Sequence, residues 1–418
     1  MPTHHDLFDQ KSGINQTSSV LQSHAMPEPR HILILGGDAD GNLGDRAILM
    51  SMCHALHSIR PDATITIISR HPGRAHADYG ERVHVICPGI SGSIKLCKAA
   101  ARSDLVLCGG GGLIQDDDSL IKVPYWAMRI LLMRALCPRV VGYALGVGPL
   151  KAGISRLFAR LAFSCMTQIT VRDPEAQAVA QALTRKAVEL VPDPALLVSG
   201  ADSEKDSNHL QTAGVPPNHK PVIGIAPRRW FPPKSRLVPR RIAARFRQPS
   251  FEQSTRLVEL LTQTLGNLVD KHDAYILFLP SYTLAHEGDE QLCRMLMDAL
   301  PPDRSGMLLI SSPGEYRAVC KKLDTLVGGR MHPTIFASSI GTPVVGLSYN
   351  HKFEGFFELL GQRESVLDVQ SFVRDGRTEQ LTGLIEKALH DTTSPRDRVD
   401  DMCARIRKFN QTLMQQAS

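Results

Sequence analysis

Two Rossmann-like α/β domains facing across a cleft are the architecture this sequence predicts, on three observations. From His31 onward, short β-branched or leucine-rich runs alternate with helical patterns, the signature of parallel sheets built from βαβ units. A polar stretch from Ser199 to Lys220, rich in Ser, Asp, Asn, Gly and Pro and without apolar period, interrupts that series before it resumes. The chain is also 418 residues long, more than one hydrophobic core usually organises.

The first series opens with HILILGG (31 to 37), a buried strand, followed by a helix that begins near Arg46 and sets Ile48, Leu49, Met52, Leu56 and Ile59 at core spacing. TITIIS, RVHVI, DLVLCGG, RVVGYALG and QITVR continue the strands to VPDPALLV (191 to 198). In the second series PVIGIAP, AYILFLP, MLLIS, TLVGG and PVVGLS are the strands. Helices near Gln253 to Lys271, Asp289 to Leu300, Glu315 to Lys322 and Pro333 to Ile340 separate them. The expected division is a disordered tail over 1–30, a first domain over 31–200 and a linker over 201–220. A second domain over 221–394 follows, and a polar amphipathic helix over 395–418 packs back across the first domain.

Composition narrows the function classes. A formal charge of +6 suits anionic substrates or a membrane surface without demanding nucleic acid. Cys53, Cys87, Cys108, Cys137, Cys165, Cys293 and Cys320 sit in apolar contexts with no CxxC pair, so they read as reduced core residues and point to a cytoplasmic location. Residues 1 to 30 lack the apolar stretch of a signal peptide. The longest apolar helical run, Tyr125 to Cys137, carries Arg129 and Arg134 and is too short to span a bilayer; it reads as a core helix or as a face lying on a membrane.

Ligands of open parallel sheets bind beyond the carboxyl ends of the strands, so the residues after each strand carry the chemistry. DADGNLGD (38 to 45) can cradle an anion at a helix N-terminus, with Asn42 and Asp45 adding polar contacts, or can be a plain turn capped by Asp45. In DLVLCGGGGLIQDDD (104 to 118), consecutive glycines including Gly110 and Gly111 let a ligand or a second backbone come close. Gln115 and the carboxylates Asp116, Asp117 and Asp118 follow, and one of them, Asp116 first, can accept a proton from an acceptor hydroxyl. The other reading of this run is a flexible surface loop with solvated acids. In DTLVGGRMHPTIFA, Arg330 and His332 occupy a turn and Pro333 opens a helix, so a fixed cation and a proton carrier point at the anion that the helix dipole attracts.

These segments resemble the polysaccharide pyruvyl transferase family, which moves the enolpyruvyl group of phosphoenolpyruvate onto a saccharide as a ketal. The resemblance runs in order through GNLGD (41 to 45), GGGGLIQD (109 to 116), GVGPL (146 to 150), VRDPEA (171 to 176), DPALLV (193 to 198), IGIAPR (223 to 228), GGRMHPTIFA (328 to 337) and YNHK (349 to 352). It implies a glycosyltransferase-B-like domain pair with the donor at the interface, no required metal or cofactor, and Arg330 and His332 on the donor phosphate. By position, Arg228 is a second phosphate arginine and Lys352 a further donor contact. Two departures, Leu145 where many relatives carry glutamine and Ala176 where they carry serine, bear on acceptor contacts.

The implied chemistry suits these residue types. Ketal formation requires a proton on the methylene carbon, cationic character at C2, attack by sugar hydroxyls and departure of phosphate. Arg330 and Arg228 would hold the donor's anionic groups, His332 would protonate the carbon or the phosphate, and Asp116 would deprotonate the acceptor. The basic stretch 228–247, with Trp230, Phe231 and Phe246, reads as a solvated loop or, because related acceptors are often lipid-linked saccharides, as a contact with the anionic inner leaflet. No nucleic-acid module accompanies it. The competing functions are a nucleotide-sugar glycosyltransferase, which needs a carboxylate for a ribose in the second domain, and a noncatalytic saccharide-binding relative, which should have lost Arg330 or His332.

Overall fold

The computed structural model describes residues 29–37, 39–117, 119–199, 209–229, 251–282, 288–391 and 395–415. Residues 1–28 of the expected tail over 1–30, Asp118, and residues 230–247 of the basic stretch over 228–247 lie outside the described residues.

The first unit runs β1 (His31–Leu35), α1 (Leu43–Ile59), β2 (Thr64–Ile68), α2 (Pro72–Tyr79), β3 (Val83–Ile86), α3 (Ile90–Arg102), β4 (Leu105–Ile114), α4 (Lys122–Leu136), β5 (Val140–Val147), α5 (Gly153–Cys165), β6 (Gln168–Val171), α6 (Pro174–Gln181) and β7 (Val188–Leu190). Its strands form a parallel sheet in the order β3-β2-β1-β4-β5-β6-β7. Three of the strands, β1, β4 and β5, form near-continuous apolar runs because helices cover both faces of the sheet.

A short α7 (His209–Thr212) precedes the second unit. That unit contains β8 (Val222–Ala226), α8 (Phe251–His272), β9 (Tyr275–Phe278), α9 (Asp289–Met297), β10 (Ser305–Met307), α10 (Pro313–Cys320), β11 (Thr325–Gly328), α11 (Met331–Ser338), β12 (Val344–Ser348), α12 (His351–Leu360), β13 (Val366–Asp368), α13 (Val369–Asp375) and α14 (Thr378–His390), followed by α15 (Arg396–Gln415). Its parallel sheet has the order β10-β9-β8-β11-β12-β13. In both sheets the strand order reverses beside the first strand, which opens a crevice at the carboxyl ends.

Several elements differ from the sequence reading. The strand expected at MLLIS pairs instead over Ser305–Met307, and β7 and β13 were not anticipated. The glycine run belongs to a strand and not to a surface loop: β4 continues to Ile114, with a register shift against β5 between Gly111 and Ile114. Residues 209–220 are packed where a free linker was expected, because Ala213 and Val215 are buried and Tyr275 donates its hydroxyl to the Ala213 carbonyl at 2.7 Å. Cys87 is exposed, while Cys53, Cys108, Cys137, Cys293 and Cys320 are buried.

One apolar cluster runs from α1 through α10, α11 and α12 to α15, so the two units share a core at their junction. Arg46 crosses that junction, donating to Asp78 Oδ2 at 2.7 Å and to the Ser311 carbonyl at 2.6 Å. Along α15, Val399, Met402, Ile406, Phe409 and Leu413 recur at helical spacing and are buried against α1 and the 3-10 turn Pro194–Leu197. The Tyr143 hydroxyl on β5 donates to Asn410 Oδ1 at 2.6 Å in the same contact. Replacing Asn410 by Ala strands the buried hydroxyl, and thermal or urea unfolding should show a loss of about 1–3 kcal/mol. The double variant Tyr143→Phe/Asn410→Leu, which removes both polar partners, should recover most of it.

Candidate functional site

A cavity of about 830 Å³ opens between the two units and is lined by residues of both. Seven basic side chains line it, Lys122, Lys151, Arg172, Arg228, Arg229, Arg330 and Lys352, against two carboxylates, Asp45 and Asp117. That imbalance makes it a place for an anion.

The second unit's wall of the cavity is set by the turn after β11. Arg330 is the N-cap of α11, Met331 begins the helix and Pro333 is its third residue, so the helix starts two residues earlier than expected. Proline is tolerated there because first-turn N–H groups have no intrahelical partner. Arg330 is not a bare cation: its Nε donates to Asp289 Oδ2 at 2.9 Å and its Nη2 to Asp289 Oδ1 at 2.6 Å. Its guanidinium also lies 4.9 Å from the Tyr282 ring centroid. Asp289 opens α9 and is fully buried, so the two-point pairing is what keeps its charge tenable. The Arg228 guanidinium lies 3.7 Å from the centroid of the Tyr349 ring, and both residues line the cavity.

His332 and Lys352 both reach across to the first unit. A Cβ on Gly44, at the start of α1, would sit 1.9 Å from His332 Nδ1, so only glycine leaves room for the ring. A Cβ on Gly112 would lie 2.6 Å from Lys352 Nζ, the end of a side chain that can shift. His332 Nε2 stands 3.8 Å from Asp193 Oδ2 and has no hydrogen bond. Burial pushes the imidazole down to about 4; Asp193 opposes the shift, while Arg172 and Arg330 add to it. The ring is therefore neutral at neutral pH in the empty cleft. Burial likewise pushes the Lys352 ammonium down to about 7, with Arg172 next in effect and Asp117 opposing.

On the first unit's wall, Asn42 and not Asp45 is the cap of α1. Its Oδ1 accepts from the Asp45 amide at 3.0 Å and its Nδ2 donates to Asp45 Oδ2 at 2.8 Å, a reciprocal arrangement that still leaves both residues on the cavity wall. Gly110, Gly111 and Gln115 line the same cavity, and Gln115 Oε1 is buried without a hydrogen bond.

Asp116 is displaced from the role the sequence suggested. Its Oδ1 accepts from the Lys151 amide at 2.9 Å and its Oδ2 from the Ala152 amide at 2.8 Å, so it ties the entry of α5 to the end of β4. The carboxylate is buried and off the cavity wall, whereas its neighbour Asp117 lines it. Two groups were missed. Arg172, directly after β6, lines the cavity and donates from Nη1 to Asp193 Oδ2 at 2.8 Å, and Asp193 in turn faces His332. Their position after a strand end, inside the VRDPEA and DPALLV motifs, was the available signal.

Among the described residues, no group of three or more His, Cys, Asp and Glu side chains is placed to hold a metal, and no helix is long and apolar enough to cross a membrane.

Two parallel-sheet domains with a cation-lined cleft at their junction define a glycosyltransferase-B-like fold, and solved structures agree on it. The chain superposes on UDP-GlcNAc 2-epimerase from Methanocaldococcus jannaschii with a TM-score of 0.57 at 11% identity, covering 90% of this chain and 98% of that one. A glycosyltransferase from Rickettsia africae gives 0.55 at 12% identity, over 92% and 95% of the two chains. The family model for polysaccharide pyruvyl transferase matches residues 42–351, and the chain belongs to that family. The amylovoran biosynthesis protein AmsJ of Erwinia amylovora is 27% identical over 137 residues, 33% of this chain, and the chain spans a quarter of that relative's length.

Two predictions follow from the charges. Arg330→Ala removes the two-point partner of the buried Asp289 carboxylate and should cost about 3–5 kcal/mol in denaturant unfolding. Arg330→Met/Asp289→Met, which removes both charges, should recover most of that loss. For Lys352, the folded chain holds fewer protons than the unfolded one between pH 7 and 10.5, so stability rises with pH across that window. Lys352→Met should raise the melting temperature at pH 7, by about 2–4 °C for each kcal/mol relieved, and flatten its rise between pH 7 and 10.5.

Proposed function

We propose that this protein transfers the enolpyruvyl group of phosphoenolpyruvate to a pair of saccharide hydroxyls as a pyruvate ketal. The observation that carries the reading is the junction cavity, where cations of both units surround a space of about 830 Å³ with few carboxylates. Family membership supports a transferase acting on polysaccharide, and the likeness to AmsJ, a protein named for amylovoran biosynthesis, supports an exopolysaccharide acceptor.

In this reading Arg228, Arg330 and Arg172 hold the donor's carboxylate and phosphate, each charge-assisted bond contributing about 1.5–3 kcal/mol. Entry of the phosphate raises the affinities of His332 and Lys352 for protons, since an anion beside them favours their charged forms. One of the two then delivers a proton to the methylene carbon, and C2 takes on cationic character. A first hydroxyl adds to C2, a second replaces the phosphate, and the two hydroxyl protons end on the methyl group and on the departing phosphate. Asp45 and Asp117, the carboxylates on the wall, take the base role first assigned to Asp116. The free Gln115 Oε1 accepts from an acceptor hydroxyl.

No resident metal is needed, because the cations already on the wall would repel one and supply the charge that a metal gives a diphosphate. The nucleotide-sugar alternative rests on fold alone, and the carboxylate nearest to a ribose role, Asp289, is taken by Arg330.

The test is incubation with phosphoenolpyruvate and a panel of lipid-linked and nitrophenyl saccharides, read by mass spectrometry with and without exhaustive EDTA. A mass gain matching a pyruvate ketal, unchanged by EDTA and reduced about 10²–10⁴-fold in His332→Ala at saturating donor, is expected. Turnover of a nucleotide sugar with no response to phosphoenolpyruvate would overturn the donor, and activity lost to EDTA and restored by magnesium would overturn the metal-free mechanism.

A further inference from the structure

Nine of the eleven large apolar side chains exposed among the described residues lie on α3, α4 and α5 or at the position capping α4. These helices sit side by side over one face of the first sheet, with α4 touching both neighbours, and their inward residues share one core. Each also carries an apolar stripe that points away from that core. On α4 the buried residues are Val123, Ala127, Ile130 and Met133, and a second stripe, Ile121, Tyr125, Met128 and Leu132, recurs at helical spacing on the outside. Ile154, Leu157 and Leu161 do the same on α5, and Ile90 and Ile94 on α3. A face that is apolar without a partner marks an interaction surface.

Charge identifies the partner. The three helices contain Lys95, Lys98, Arg102, Lys122, Arg129, Arg134, Arg156 and Arg160 and not one Asp or Glu. A second copy docking through the same face would bring like charges together, which is unfavourable. An anionic lipid surface satisfies both features at once, taking the apolar stripes into its acyl boundary and the cations onto its headgroups. No helix of the described residues can span a bilayer, so such a contact lies in the plane of the surface.

We propose that α3, α4 and α5 form a docking face for an anionic bilayer. The face adjoins the cavity: Lys122 and Trp126 at the start of α4, and Lys151 just before α5, line it. Helices of a parallel sheet begin at the carboxyl ends of its strands, so the exposed Ile90, Ile121 and Ile154, at the starts of the three helices, stand at the end of the unit that faces the cavity. Docking there sets the cavity mouth at the headgroup level, within reach of a saccharide carried on a lipid.

The experiment is flotation of the full chain with phosphatidylcholine vesicles containing about 30% phosphatidylglycerol, and with phosphatidylcholine alone. Binding to the anionic vesicles alone, falling as salt is raised to about 0.5 M, is expected. The exposed triple variant Met128→Ser/Leu132→Ser/Leu157→Ser should keep the wild-type circular dichroism spectrum and lose binding by about tenfold or more. Met295→Ser/Leu309→Ser, which removes the two exposed apolar residues elsewhere, should bind like wild type. Absence of flotation, equal flotation of the triple variant, or a dimer in sedimentation velocity that the triple variant dissolves would each overturn the proposal. None of these readouts depends on the donor or on turnover, so the outcome is independent of the proposed reaction.

Discussion

The seating of His332 on Gly44 and of Lys352 against Gly112 is the contact on which the cavity depends. Each side chain leaves the second unit at a strand end and finishes where the first unit offers no Cβ. A methyl group on Gly44 would collide with the His332 ring, whereas one on Gly112 would meet the movable ends of Lys352 and Gln115. The shared apolar cluster around α1, α11 and α15 fixes the junction broadly, and Gly44 sets its spacing at the site.

Closeness also explains the pairing of charges. Cations drawn together out of water are unfavourable alone, and the fold answers with carboxylates placed behind them: Asp289 behind Arg330, Asp193 behind Arg172 and near His332. Behind the wall, Asp116 spends both oxygens on the amides of Lys151 and Ala152. The carboxylates of this region therefore divide into those that hold cations or backbone and those, Asp45 and Asp117, that reach the cavity.

Much of the fold was legible because buried parallel strands are continuous apolar runs and their helices carry a 3.6-residue period. The edge strands β7 and β13 were not, since three residues hold too little pattern to separate from a loop. Within the site, motifs after strand ends led to Arg330, His332, Arg228 and Lys352, and all four line one cavity. The sequence could not show that Arg330 pairs with a carboxylate 41 residues away, or that Asp116 faces backbone amides, because hydrogen-bond partners are a property of tertiary placement. Adjacent aspartates look alike on paper, and only the direction in which the end of β4 delivers Asp116 and Asp117 tells one from the other.

The depressed proton affinities of His332 and Lys352 have a thermodynamic corollary. Burial holds both groups below their ordinary proton affinities, and an anion brought beside them would favour their charged forms. Under the proposed reaction, capture of the donor would therefore draw protons from solvent, and by linkage the anion would be held more tightly as pH falls through neutrality. The heat of binding would then include the ionisation heat of whatever buffer supplies those protons, so enthalpies measured in Pipes and in Tris would diverge by an amount that counts the protons taken up.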